Sequence, residues 1–346
     1  MEYIVVIVTL RKRGREGTHI ASIKEVALAA GVSPTTASYA LNNRPEVKEE
    51  TKRKVREAAE RIGYIPNRAA QAFRSGKTST IAVMTSERIE CGNTFSAEFF
   101  GVLSCARARH YDVLVKLVGA GERDQVGIDK MLGGMMCDGY LLLGNHLDLV
   151  AKRILDNGLK GVLLSSHSPE RIAQVNVDGR KWIREMTRLV FECGRVNPCY
   201  ISFHLSEIEE KLRAEGFVSA MAERGLDGKA RLLTCGTGGR RLKQAITDAL
   251  EAGSDAIVCW NDVIALEVLG FLAELGKRVP QDVAVTGFDD NGFMVGLNPT
   301  LTTVHQPFEE KGRVATEILI DLIEDKAQKA QEPTFIECSI MRRATL

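Results

Sequence analysis

At 346 residues, the chain exceeds what one hydrophobic core holds and calls for two or three domains. Its 45% hydrophobic and 26% charged residues are those of an ordinary globular protein, and nothing approaches the roughly twenty-residue apolar run of a membrane span. The net charge of +1 conceals an asymmetry: residues 20–77 hold 11 Lys and Arg against 6 Asp and Glu, residues 1–19 add an excess of two, and residues 78–346 therefore carry −6. A basic end on an acidic body suits a nucleic-acid-binding head joined to a body that takes something else.

In chain order, residues 3–10 are apolar and β-branched, with the basic cluster 11–15 after them. A secretory signal carries its charges before the apolar run, so residues 1–19 are read as a disordered extension. From Ser22 the pattern turns helical. Ile23, Val26, Ala27 and Ala30 fall at i, i+3, i+4 and i+7, one apolar helical face. Gly31 supplies a sharp turn, and a second helix opens on Ser33 as N-cap with Pro34 in its first position. Ala37, Ala40 and Leu41 face the first helix, which leaves Thr35, Thr36, Ser38, Tyr39 and Asn42 pointing outward. That is a helix-turn-helix, with the second helix expected in the DNA major groove. Val55, Ala58, Ala59 and Ile62 make a third amphipathic helix, stopped where Pro66 pushes Ile65 out of helical space. Residues 67–73, NRAAQAF, form a further short helical turn before a linker at 75–78.

From residue 79 the texture becomes α/β. Residues 81–84, 113–117, 139–143 and 162–164 read as buried strands, and a second series runs 199–203, 232–235, 256–259 and 283–287. Strands alternating with helices imply parallel sheets wound by right-handed crossovers, in two lobes joined near 175–198. Ligands of such sheets sit beyond the carboxyl ends of strands, where Trp260-Asn261-Asp262 and Phe288-Asp289-Asp290 lie. Enzyme chemistry finds no support. Asp289 and Asp290 are adjacent rather than spaced as an acid/base pair, the Gly-rich run after Cys235 lacks the Gly-Lys-Ser/Thr of a phosphate loop, and no nucleophile elbow is present. The eight cysteines show neither CxxC spacing nor His partners, so no metal or cofactor is expected and a reducing cytoplasm is.

IKEVALAAGVS, LNN, the Thr51–Val55 spacing and GYIPNRAAQAF, with AIVCWNDVIALEVL, VPQDVAVTGFDD and LTTVHQPFEEKGRVA further on, resemble the lactose-repressor (LacI/GalR) family of bacterial transcription regulators. The resemblance is colinear over roughly nine-tenths of the chain, which a chance motif is not. It implies an α/β chain in four parts: an extension (1–19), a three-helix helix-turn-helix head (20–66), a hinge helix and linker (67–78), and a two-lobed body (79–346) like a periplasmic binding protein. In that fold the chain recrosses near 305–308, 309–323 return to the first lobe, and a final strand at 335–341 crosses back.

The function implied is sequence-specific operator binding, as a homodimer with a tetramer left open, under control of a sugar-like effector between the lobes. On the DNA side the resemblance assigns Ser33, Thr36, Ser38 and Asn42 to phosphates and Pro34, Thr35 and Tyr39 to base edges. Tyr39 stands where the family has an Arg able to grip guanine, so a different operator is expected. Asn67, Ala70 and Phe73 match the hinge helix that meets the minor groove, Phe73 as wedge, and Lys48, Lys52 and Arg53 lie where backbone contacts fit. On the effector side it assigns Arg213 and Asp289, which together bind a polyol by charge-assisted hydrogen bonds, with Asn261, Trp260 and Phe95. The sequence VDGRKW departs from the family pattern. This leaves two alternatives: a constitutive DNA binder without effector, and a sugar-binding protein of the transport type. The expected location is the cytoplasm, on the nucleoid.

Overall fold

The computed structural model describes residues 21–64, 76–86, 93–119, 122–134, 136–145, 147–236, 239–292, 296, 298–326 and 332–346. Backbone contacts divide the chain into two compact units, 1–79 and 80–346. The extension and the hinge segment with Asn67, Ala70 and Phe73 lie outside the described residues.

In the first unit, α1 (Ile23–Ala30), α2 (Pro34–Leu41) and α3 (Glu49–Arg61) enclose Val26, Ala27, Ala37, Ala40, Val55 and Ala59. Small side chains on the facing stripes let three short helices share one core. Local chemistry sets the ends. The Glu25 carboxylate takes the Ser22 N–H at 2.7 Å, Gly31 closes α1 at φ 66°, and Ser33 Oγ caps α2 by accepting the Thr36 N–H at 3.0 Å.

The second unit holds two six-stranded sheets among the described residues. The first has the order β2 (Asp112–Val118), β1 (Thr80–Ser86), β3 (Gly139–Leu143), β4 (Gly161–Leu164), β5 (Ala173–Asn176) and β11 (Thr334–Phe335). The second has the order β7 (Arg231–Thr234), β6 (Pro198–Ser202), β8 (Ala256–Cys259), β9 (Ala284–Asp289), β10 (Thr302–His305) and β12 (Ser339–Met341). All pairings are parallel except β10 with β12. The central strands are buried on both faces, as helices on both sides of a parallel sheet require. The chain passes between the sheets after β5, after β10, and between β11 and β12.

Two differences from the sequence reading have local causes. The expected continuous strand at 335–341 is two short strands, because residues 336–338 carry the chain from one sheet to the other. Residues 177–192, expected only as part of the join between the lobes, include helix α7 (Gly179–Glu192), which packs as a member of the second lobe. Its Ile183, Met186 and Val190 pack with Phe217, Val258 and Phe288 of the second lobe.

Each lobe is braced by a close helix pair that carries residues of the cleft. In the first lobe α4 (Asn93–Ala108) meets α11 (Phe308–Ile323). A methyl on Gly101 would lie 2.0 Å from the Glu309 carbonyl oxygen, and one on Gly312 would lie 2.0 Å from that of Glu98. Only glycine permits that backbone approach. In the second lobe α7 meets α8 (Ile208–Ala222) through Gly216, where a methyl would fall 2.2 Å from the Arg180 carbonyl oxygen.

Candidate functional site

In the first unit the outer face of α2 is the candidate nucleic-acid surface. Ser33, Pro34, Thr35, Tyr39 and Asn42 are exposed, while Thr36 and Ser38 are half-buried. The polar groups are ordered before any ligand arrives. Ser33 Oγ and Thr36 Oγ1 are 2.8 Å apart, and Asn42 Nδ2 donates to the Ser38 carbonyl at 2.8 Å. Pro34, Thr35 and Tyr39 are the larger side chains left open on this face. Lys52 is a correction: it is 5% exposed and its ammonium lies 2.7 Å from Glu49 Oε1. Burial of its stem in the head turns it from the surface where a phosphate contact was expected.

In the second unit a cavity of about 180 Å³ opens between the two sheets. From the first lobe and its crossover come Glu98, Asn145, Ser165, Asn176, Gln306, Phe308 and Lys311; from the second come Glu209, Arg213, Trp260 and Asp289. The parallel strands aim their carboxyl ends here, so Ser165, Asn176, Trp260 and Asp289 follow or end β4, β5, β8 and β9.

Arg213 is held from three sides. Its Nη1 donates to the Trp260 carbonyl at 2.7 Å, and its guanidinium carbon lies 3.8 Å from the Phe288 ring centroid and 4.9 Å from that of Trp260. Asp289 accepts from Gln306 Nε2 at 2.7 Å. Burial pushes its carboxyl up to about 6, against the pull of Arg213. Asp289 also sits at φ 117°, an unfavourable backbone angle for a residue with a side chain and a form of strain found at binding sites. Glu98 is buried against Lys311 Nζ at 2.7 Å and accepts from Ser165, while Lys311 donates on to Gln306 at 3.1 Å. Across the cleft, His167 Nε2 lies 2.5 Å from Glu209 Oε1. Burial opposes the charge on Glu209, but His167 and Arg213 outweigh it and hold the carboxyl below its usual range.

Arg213, Trp260 and Asp289 thus share one cavity, and two other sequence candidates do not line it. Asn261 is turned away: its side-chain oxygen caps α10 (Asp262–Glu274) by accepting the Ile264 N–H at 3.0 Å. Phe95 stacks on Phe99, 5.8 Å between centroids at 7°, against the first lobe's core. Sequence reasoning missed Glu98, Asn176, His167, Glu209, Gln306 and Lys311. A buried Glu or Lys on a helix carries no local mark that separates it from a solvated one.

Among the described residues no three His, Cys, Asp or Glu side chains could hold a metal, and no helix is long and apolar enough to cross a membrane. The described cysteines are free, and burial pushes the thiols of Cys137 and Cys199 up to about 12, so they stay protonated and unreactive.

Comparison with known proteins agrees with both halves. Residues 22–67 match the model for bacterial regulatory proteins of the lacI family, and residues 199–346 match that for a periplasmic binding protein-like domain. The chain is 29% identical to the HTH-type transcriptional repressor PurR of Vibrio parahaemolyticus, over 89% of this chain and 93% of that protein. Its fold is that of the Lac repressor dimer bound to operator and the anti-inducer ONPF (TM-score 0.80, 23% identity, 94% of this chain and 99% of that one). It is also that of the transcriptional regulator CelR in complex with cellobiose (TM-score 0.69, 24% identity, 94% and 99%).

Proposed function

We propose, for a chain that belongs to the lacI family of bacterial regulatory proteins, that a small polyhydroxyl molecule held in the body's cleft controls the grip of its head on operator DNA. The chain is a DNA-binding transcriptional repressor and not an enzyme. The transport-type alternative falls with that, since a transport protein has no use for a DNA-binding head.

One observation carries the effector reading: Asn176 Oδ1, Glu209 Oε2, Arg213 Nε and Trp260 Nε1 are buried without a hydrogen-bond partner, and all four residues line the same cavity. Each such atom costs about 1–3 kcal/mol unless something completes it. Two are acceptors and two are donors, which fits hydroxyl groups, able to act as both. The volume falls below the roughly 300 Å³ at which drug-sized sites begin, so a single sugar ring suits it better than a disaccharide. Arg213 and Asp289 would clamp the ring and Trp260 would offer it a face.

On the DNA side we assign Pro34, Thr35 and Tyr39 to base edges and Ser33, Thr36, Ser38 and Asn42 to phosphates, with Asn67, Ala70 and Phe73 at the minor groove. In this division residues 20–66 form the head, 67–78 the hinge and 79–346 the effector body, and the repressor works in the cytoplasm on the nucleoid. Dimerisation has a candidate face. β2 is an edge strand whose Val115 and Leu117, with Phe100 and Leu103 of α4, are each at least 40% exposed, an apolar patch of the kind that marks subunit contacts.

The constitutive-binder reading has one observation in its favour: His167 of the first lobe already pairs with Glu209 of the second. Fluorescence anisotropy on an operator selected from random DNA, titrated with sugars, nucleosides and small acids, separates the two. A shift of operator affinity by at least one compound supports effector control, and none across the panel removes it. Recovery of the family's common operator would count against the reading of Tyr39.

A further inference from the structure

The outer face of α2 lacks the group that reads guanine best. Residues 33–42, SPTTASYALN, hold no charged side chain, whereas the commonest specific contact in a major groove is a cation paired with guanine O6 and N7. The head's positive charge lies around the helix instead, and most of its guanidinium groups are engaged. Arg56 donates to Asn43 Oδ1 at 3.2 Å, Arg61 donates to the Ala29 carbonyl at 3.3 Å, and Arg53 lies 3.9 Å from Glu57. Among the described residues of the head, Arg44 is the one arginine whose side chain has no partner, and it is exposed. The way α2 ends decides where Arg44 stands. Asn43 takes the left-handed conformation at φ 56°. Its N–H reaches the Ala40 carbonyl at 3.1 Å, and that of Arg44 reaches the Tyr39 carbonyl at 3.0 Å. These two bonds make the Schellman closure of a helix, which folds the residue after the left-handed one back beside the residue whose carbonyl it meets. Arg44 is thereby the neighbour of Tyr39, itself 46% exposed on the outer face of α2. The Arg56 bond to Asn43 ties this turn to α3.

We propose that Arg44 is a specificity-determining residue of the head: it extends from beside Tyr39, past the end of α2, and its guanidinium donates to O6 and N7 of one guanine in the operator. This rests on α2 entering the major groove, as assigned above, and adds a base reader from outside that helix. A guanidinium offers two parallel donors in a fixed plane, which matches the two acceptors of guanine and no other base pair edge. Tyr39 has one hydroxyl and cannot make that pairing, but its ring gives the guanidinium a face to lie against, which holds the plane of the fork. The competing fate is a phosphate contact, which would add affinity without selecting a base.

The test selects operators from random DNA with the full-length protein and with its Arg44→Ala, Thr35→Ala and Tyr39→Ala variants, then measures affinity by anisotropy over a range of salt. The Arg44 side chain is exposed and unpartnered, so Arg44→Ala should melt as the wild type does. The expected result is a guanine position in the wild-type operator that Arg44→Ala no longer selects, with the other positions kept. Replacing that guanine by adenine should weaken the wild type about tenfold or more and leave Arg44→Ala indifferent. The opposite pattern overturns the proposal: every position still selected by Arg44→Ala, all sites weakened alike, and a salt slope smaller by about one, the mark of a phosphate contact. A wild-type operator with no guanine position that depends on Arg44 overturns it too. Either outcome leaves α2 standing as the reading helix so long as Thr35→Ala or Tyr39→Ala changes a selected base. If neither does and Arg44→Ala is also silent, both readings fall.

Discussion

The two walls of the cleft differ in how fully they satisfy their buried polar groups. On the first lobe Glu98, Ser165, Lys311 and Gln306 answer one another in an unbroken chain, mounted on a helix pair locked by Gly101 and Gly312, and one acceptor, Asn176 Oδ1, lacks a hydrogen-bond partner. On the second lobe Glu209, Arg213 and Trp260 each retain an atom without a hydrogen-bond partner, although Glu209 and Arg213 form a loose ion pair at 3.8 Å. The difference separates frame from receptor. A closed network adds rigidity and needs nothing further, whereas an open one is stabilised by whatever completes it. Asp289 stands between them, joined to the first wall through Gln306 and facing Arg213 of the second.

Breaking the frame should have the largest effect. Glu98→Ala leaves the Lys311 ammonium buried with Gln306 as its remaining hydrogen-bond acceptor, and should cost about 3–5 kcal/mol in urea unfolding of the body. A loss below about 1 kcal/mol would mean that the first wall is not a frame. Next comes a pH effect. Burial and the nearby Asp289 push Asp262 up to about 7, though it accepts from Thr303 at 2.6 Å and from the Asn291 N–H at 2.8 Å. An acid with a raised folded-state value contributes stability that is full below about pH 4 and lost as pH rises through the folded value. Asp262→Asn, fixed in the neutral state, should therefore gain about 2–4 kcal/mol relative to wild type between pH 4 and 7.5. A flat difference would remove Asp262 from the account. Asp289, at about 6, should make effector affinity rise as pH climbs through 6, because the ionised carboxylate is the better acceptor.

On the receptor wall, Arg213→Ala should cost about 1–3 kcal/mol of stability and abolish effector-induced stabilisation altogether. If effector response survived, the open atoms would not be the receptor. Smallest is Ser33→Ala in the head, about 1 kcal/mol from one lost helix cap, seen as a lower melting temperature for the head with the body unchanged.

The head was legible because its information is local: spacing in α1 and α2, the Gly31 turn and the Ser33-Pro34 start all lie within twenty residues. Most strands of the body were legible as apolar runs, but β5 was not. Its sequence AQVN carries two polar residues, buried because Gln174 and Asn176 bond the Ser168 and Ser166 carbonyls. Arg213 and Asp289 stood out through their motifs. Glu98 and Lys311 are 213 positions apart, and Glu209 meets His167 only when the lobes come together, so no periodicity reports either pair. Asn261 shows the reverse failure: a polar residue at a strand end fits a ligand contact and a helix cap equally well, and only geometry chooses the cap.

The burial of Lys52 has a consequence for how the head responds to salt. A protein that grips DNA releases about 0.9 counterion for each phosphate it neutralises, and the slope of log affinity against log salt counts those contacts. An ammonium already matched by Glu49 releases none. The operator-binding slope should therefore be unchanged in Lys52→Met and should shrink in Arg53→Met, whose side chain is 72% exposed and only loosely paired with Glu57, at 3.9 Å. Of two neighbouring positive charges on one helix, only one should register in a salt titration.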